Sequence, residues 1–506
     1  MRTKKAFWNI TSSMLFLVIN TICGLITPRL ILRSFGSDYN GVISSATQYL
    51  GMISVLTIGI AGPTRVALYQ AFAKDDKLGT SRIVKATRIY MQKVGIAVIG
   101  YAIVLMFLFP LFAKTEIPRV EIAVLIAIVS ISSFAQYFFA VTNQTLLSAD
   151  QSEYISNVIN IIKVVINTAL TAFLIYVGAS IFIVKLGSSI IFFICPLALN
   201  IYVKRHYSLD DKCEPDYTAI KGRSAAVYHS VANIVHDNTD IVILTLFDDM
   251  KMVSVYTVYN LVANGLRNLM RVFTNSLESP FGTMWAKKEK ERLEYNFRIY
   301  EFGIYFFATI VFSSAYVLIT PFIIRYTAGV HDTNYVLPLF AFLVITSECI
   351  FCIRQPYLTM VQATGNYEAT KKDAIAEAII NILTSIILIN IIGINGVIVG
   401  TIIANLYRTI RYAYFMDAHI IKRGFAVFAK RVIWCLCAII INTQLSRVLG
   451  NVIEFTDGWI GWIIQGILVL FISVCVTVVV SVVFYRKDIV DFTGVILRMI
   501  KRRTSS

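Results

Sequence analysis

The segment Trp459-Ile460-Gly461-Trp462-Ile463-Ile464-Gln465-Gly466-Ile467-Leu468-Val469-Leu470-Phe471-Ile472-Ser473-Val474-Cys475-Val476-Thr477-Val478-Val479-Val480-Ser481-Val482-Val483-Phe484 runs for 26 residues without a charge. As a helix rising about 1.5 Å per residue it is longer than the ~30 Å hydrocarbon layer of a bilayer. A helix at the surface of a soluble protein carries a face rich in charged and polar residues, whereas this one holds no charge and only Gln465, Ser473, Thr477 and Ser481 as polar side chains. Long apolar runs recur at Ile155–Val177, Ile181–Val203 and Tyr305–Thr320. Across the 506 residues 57% are apolar and 15% charged, against roughly 25% charged in soluble domains. Lipid admits only structures that pair every backbone polar group internally, which means helix bundles or closed strand barrels. The ~10-residue alternating segments of a barrel are missing. The chain reads as all-α, a polytopic membrane protein with about 14 transmembrane helices.

Apolar windows bounded by charge or Gly/Pro punctuation fall near 11–31, 40–62, 90–112, 121–142, 155–177, 181–203 and 226–247, then near 252–275, 298–320, 335–358, 372–392, 396–416, 427–446 and 460–484. The first is preceded by Met1-Arg2-Thr3-Lys4-Lys5, like the start of a signal peptide. It lacks a small-residue cleavage site, so it reads as a retained span. Lys and Arg collect in cytoplasmic loops. One side of the membrane holds 30 of the 46 basic residues, the other 7, and both termini fall on the richer side. The net charge of +16 thus follows the membrane, and no nucleic-acid partner is implied. The eight cysteines are scattered, with Cys435 and Cys437 the only close pair; they read as small core residues rather than disulfide or metal ligands. No metal or cofactor is expected.

An internal repeat points to two lobes. Ile166–Ile175 and Ile380–Ile389 align at an offset of 214, which also places Ala149 on Ala363. The link Phe35–Asp38 lies 212 positions before Phe247–Met250. Six spans per repeat is an even number, so the lobes share one orientation, a plan found in transporters. The resulting division is 1–210, an N-terminal six-helix lobe; 211–420, a C-terminal six-helix lobe; and 421–506, transmembrane helices 13 and 14 with a basic cytoplasmic tail.

Nine basic residues lie within or at the edges of spans, where ionisable groups are costly unless they face protein or water. In the seventh span His229, Asn233, His236 and Asp240 share one helical face; in the eighth Asn260, Asn264, Arg267 and Arg271 repeat that spacing. The functional alternative is a polar wall lining a central cavity; the structural one is a closed set of interhelical hydrogen bonds. The fifth span carries Ser156, Asn160, Lys163, Asn167 and Thr171 on one face, and its repeat mate carries Glu377, Asn381 and Ser385. Arg354, Arg408 and Arg411 are open between a cavity role and snorkelling to headgroups. Basic groups at depth outnumber acidic ones, so an anionic substrate is expected, with a phosphate or diphosphate suited to arginine forks. Candidate substrate-binding residues are Arg267, Arg271, Lys163, Asn260, Asn264 and Arg408. Candidate ion-coupling residues are His229, His236, Asp240 and Glu377, histidine being able to load and release a proton near neutral pH. No Gly-rich phosphate loop, His-Glu-x-x-His motif or nucleophile elbow occurs, and no loop is long enough for a catalytic module, so an enzyme is not expected.

Three stretches, Leu32–Val42, Asn238–Leu244 and Val253–Asn260, together with the six-plus-six-plus-two plan, resemble the Wzx-type polysaccharide (O-antigen or capsule repeat-unit) flippases of the multidrug/oligosaccharidyl-lipid/polysaccharide exporter superfamily. The resemblance covers essentially the whole chain. It implies translocation of a polyprenyl-diphosphate-linked oligosaccharide across the bacterial cytoplasmic membrane by alternating access. It further implies H+ or Na+ as coupling ion, membrane lipids around the chain, and a polysaccharide polymerase and chain-length regulator as partners. The alternatives are a multidrug or small-molecule exporter of the same superfamily, a peptidoglycan-precursor (lipid II) flippase, and a membrane enzyme of glycan assembly. Against the drug-exporting branch, the first span has Asn20 and Thr21 but no acid. Against the lipid II branch, Arg29 and Arg65 lie only at span ends.

Overall fold

The structure is a computed structural model and describes residues 2–219, 224–274, 278–452 and 458–504. Nineteen α-helices follow one another: α1 (Arg2–Phe35), α2 (Ser37–Gly51), α3 (Ile58–Ala73), α4 (Lys77–Phe112), α5 (Arg119–Ala135), α6 (Val141–Ala149), α7 (Glu153–Tyr176), α8 (Ile181–His206), α9 (Ser224–Phe247) and α10 (Met250–Thr274), then α11 (Glu278–Ala286), α12 (Lys290–Tyr326), α13 (Pro338–Ile353), α14 (Gln355–Ala363), α15 (Tyr367–Ile392), α16 (Ile394–Phe415), α17 (Ala426–Val452), α18 (Trp459–Phe484) and α19 (Arg486–Thr504). A 3₁₀ turn (Met52–Thr57) and two π turns (Gln136–Ala140 and Met416–Ile420) interrupt them. No strand forms among the described residues.

Among the described residues eleven helical runs are long and apolar enough to cross a membrane, and α9, α10 and α16 fall in the remaining windows. Bulky side chains such as Phe107, Ile391, Ile460 and Phe484 stand 70–73% exposed. A soluble surface does not tolerate so much oil, whereas lipid covers it. The protein is a multi-pass, all-α membrane protein.

Some elements recur at the 214-residue offset noted in the sequence. α6 (Val141–Ala149) and α14 (Gln355–Ala363) are both nine residues long and lie 214 positions apart. α7 and α15 begin at Glu153 and Tyr367, the same offset. The turn before each needs a left-handed residue: Gln151 at φ 58° in the first, Gly365 at φ 72° in the second.

By packing, the chain divides inside α10. One unit comprises Met1–Thr257 with Gly329–Thr333, the other Val258–Ala328 with Asn334–Ser506. Packing and repeat are separate criteria, and the repeat-based division at 210/211 and 420/421 stands as an expectation beside this one. In the first unit Gly41 meets the start of α10 so closely that a Cβ would lie 1.9 Å from the Met250 carbonyl oxygen. Beside it the Asn40 amide donates to Ser254 at 2.7 Å, and Ser45 pairs with Thr245 at 2.7 Å. In the second unit α15 and α16 approach through Gly396 and Gly400, with Asn381 donating to Thr401 at 2.9 Å and Ser385 to the Val397 carbonyl at 3.1 Å. Small residues and interhelical hydrogen bonds are the means of association where lipid supplies no hydrophobic drive.

The N-terminal helix is anchored by one carboxylate. Asp150, in the turn before α7, accepts from Lys5 Nζ at 3.0 Å, Ser152 Oγ at 2.8 Å and Tyr207 Oη at 2.7 Å. Partial burial, the largest single influence, would raise its pKa, yet these bonds together hold it below the usual 3.8. A folded pKa below the unfolded one contributes stability above the unfolded value and loses it as pH falls through the folded one. Asp150→Asn is therefore expected to lower the thermal midpoint by a constant amount from about pH 8 to pH 5, with the gap closing below about pH 4. A gap that widens on acidification would contradict this assignment.

Candidate functional site

The second unit carries a chain of buried charges. Arg267, on α10, forks onto Glu348 of α13, Nε at 3.0 Å from Oε2 and Nη2 at 2.5 Å from Oε1. Its guanidinium lies 4.5 Å from the centre of the Phe351 ring, and that of Arg354 lies 4.8 Å from the same ring. Arg354 donates to Glu377 Oε1 at 2.6 Å, while Arg408 takes the other oxygen of the same carboxylate. Arg408 also donates to Tyr412 Oη at 3.0 Å, and Arg354 to Asn405 Oδ1 at 3.3 Å. Arg354, Glu377 and Arg408 are each 1% exposed. Along this chain three guanidiniums and two carboxylates are linked through buried contacts.

Arg354 and Arg408 thus turn inward onto a shared counter-charge instead of reaching for headgroups. Glu377, expected as an ion-coupling residue, has both oxygens occupied by guanidinium donors. One turn beyond Arg267, Arg271 is exposed; on the same helix Asn264 is exposed and Asn260 half-buried. In the first unit, His236 and Asp240 are buried on α9, and Tyr256 Oη donates to Asp240 Oδ2 at 2.8 Å. The side chain of His229 lies outside the described residues. Lys163, also in the first unit, places its amine 5.0 Å from the Phe192 ring centre. It lines a narrow space of about 10 Å3 with Gln136, Gln144, Ser156 and Asn160. Among the described residues no group of three or more His, Cys, Asp or Glu is placed to hold a metal.

A second ion network went unread in the sequence. Glu301, fully buried in α12, accepts from Arg423 at 2.8 and 2.5 Å and from Tyr357 Oη at 2.6 Å, with Arg431 at 3.6 Å. Arg431 pairs with Asp488 at 3.0 Å, and Arg298 with Asp491. α19 is thereby clamped to α12 and α17, and Phe492 fits against Gly303, where a Cβ would be 2.7 Å from its ring. From the sequence, Arg423 and Arg431 read only as basic charges of a cytoplasmic loop. The available signal was Glu301 itself, the lone charge between Arg298 and Arg325.

No family model matches the chain, and no curated protein matches it by sequence. Solved structures do. A lipid II flippase, MurJ, in an inward closed conformation aligns with TM-score 0.65 at 15% identity, over 94% of this chain and all of the other. An inward-facing multidrug resistance MATE transporter of the MOP superfamily aligns with TM-score 0.61 at 14% identity, over 79% of this chain and 96% of the other. The eukaryotic MATE transporter AtDTX14 gives 0.59 at 12%, over 85% and 99%. The chain has this transporter fold. At such identities the likeness extends to the fold and leaves the cargo to be argued from the residues.

Proposed function

We propose that the chain is a flippase that moves a polyprenyl-diphosphate-linked oligosaccharide across a bacterial cytoplasmic membrane by alternating access, for surface polysaccharide assembly. The observation that carries this reading is the arginine-rich chain of Arg267–Glu348 and Arg354–Glu377–Arg408. Ionisable groups buried at membrane depth are costly and mark substrate paths, so a function that carries an anion past them explains their presence. A diphosphate matches the planar donor fork of arginine. The asymmetry of the basic residues supports cytoplasmic termini, and His236 with Asp240 on α9 supplies titratable groups for coupling to an H+ or Na+ gradient. A multidrug exporter is the second reading, the same fold being found in multidrug transporters; the buried guanidiniums, suited to an anionic headgroup rather than to a cationic drug, favour the lipid-linked cargo.

Mass spectrometry of lipids retained by the full-length protein in mild detergent tests the proposal. Polyprenyl-diphosphate glycans are expected, enriched over the bulk membrane. Retention of undecorated phospholipids alone, together with efflux of cationic dyes from reconstituted vesicles, would move the assignment to the exporter.

A further inference from the structure

The first unit holds a second polar hollow, distinct from the space beside Lys163. It encloses about 200 Å3 between α4, α8 and the junction of the π turn with α6. π turns inside α-helices occur mostly at functional sites. This one contributes Phe138 and Phe139, whose ring centres are 4.8 Å apart, to the wall.

Two side chains of the wall are incomplete. Asn143, 3% exposed, donates its amide protons to the Phe139 carbonyl at 2.8 Å and to Asn200 Oδ1 at 3.3 Å, and its own oxygen accepts nothing. The hydroxyl of Thr142, 5% exposed, has no hydrogen-bond partner either. Buried polar groups are almost always satisfied, so the unpaired Asn143 oxygen and Thr142 hydroxyl, on two residues of one cavity wall, leave two polar groups to be completed there.

The charge of the wall specifies the ligand further. Among the described residues it includes Arg88 and Lys204 and no carboxylate. Arg88 is held by Asp211 at 2.6 Å, while Lys204 is exposed near the end of α8. The volume equals roughly six or seven waters at ~30 Å3 each, the scale of a glycerol phosphate and far below that of an oligosaccharide.

We propose that this hollow binds a phosphate ester bearing neighbouring hydroxyls: Lys204 and Arg88 take the phosphate, Asn143 and Thr142 the hydroxyls, and the phenylalanine rings the carbon backbone. The site stands apart from the transport reading and does not depend on the cargo. Its ligand comes either from an anionic phospholipid headgroup or from a soluble glycerol phosphate.

Native mass spectrometry of the full-length protein with phosphatidylglycerol, phosphatidylcholine or sn-glycerol 3-phosphate separates these sources. For the lipid source, phosphatidylglycerol adducts are expected to persist about tenfold over phosphatidylcholine, as the loss or gain of one charge-assisted bond gives. The preference should vanish in Lys204→Gln and Asn143→Leu but remain in Lys74→Gln, a loop lysine outside the wall. For the soluble source, glycerol phosphate binds and the same two variants abolish it. Lys204→Gln keeps the test open if Asn143→Leu does not fold, since Lys204 is exposed. Binding of neither ligand, or binding in Lys204→Gln equal to that of the unaltered protein, overturns the proposal.

Discussion

Glu377→Gln is expected to yield little folded protein. The carboxylate is the shared counter-charge of Arg354 and Arg408, all three side chains being 1% exposed. Glutamine keeps the shape but offers one acceptor and no charge, leaving two guanidiniums against each other in a low-dielectric interior. Removing one partner from a buried ion pair typically costs about 3–5 kcal/mol, a large part of the stability of most folds. Size-exclusion chromatography and thermal unfolding in detergent read the loss directly. The double variant Glu377→Gln/Arg408→Gln should recover part of it, because the second change removes one of the stranded charges and contacting residues do not add independently. A single variant that melts within about two degrees of the parent would show that the triad carries little of the fold's stability.

What the sequence discloses about this molecule follows from what lipid demands. The windows at 155–177 and 460–484 were legible because a lipid-facing helix must be apolar over its full length. The 214-residue offset was legible because equivalent helices keep polar residues at equivalent buried positions: Asn167 and Thr171 in α7, Asn381 and Ser385 in α15. Periodicity, however, reports which face of a helix a side chain occupies and not what stands opposite. It placed Arg267 on a polar stripe but did not pair it with Glu348, 81 positions away. Nor did a count of loop charges separate Arg431, buried against Glu301 and Asp488, from its solvated neighbour Lys430. The π turns had no signature, since one extra residue per turn leaves composition unchanged. Packing also places the division of the chain inside α10, where the apolar pattern runs on without a break.

Arg267 and Arg271 sit one turn apart on α10, and their substitutions should separate structure from transport. Arg271 is exposed, so Arg271→Gln is expected to leave the thermal midpoint unchanged. If the stripe grips a diphosphate, the same variant should lower translocation of a labelled lipid-linked glycan at least about tenfold, as expected for one charge-assisted contact. Arg267→Gln is expected to lose both, because it strands Glu348 at 8% side-chain exposure without its bidentate donor. Lysine in place of Arg267 restores the charge but not the fork, and recovery should be partial at most. The decisive variant is Arg267→Gln/Glu348→Gln. Two amides hydrogen-bond without net charge, so folding should return toward the parent while translocation stays abolished. Restored translocation in that double variant would show that the pair merely holds α10 against α13, and that the grip on the anion lies elsewhere along the chain of charges, with Arg354 and Arg408 the next guanidiniums to test.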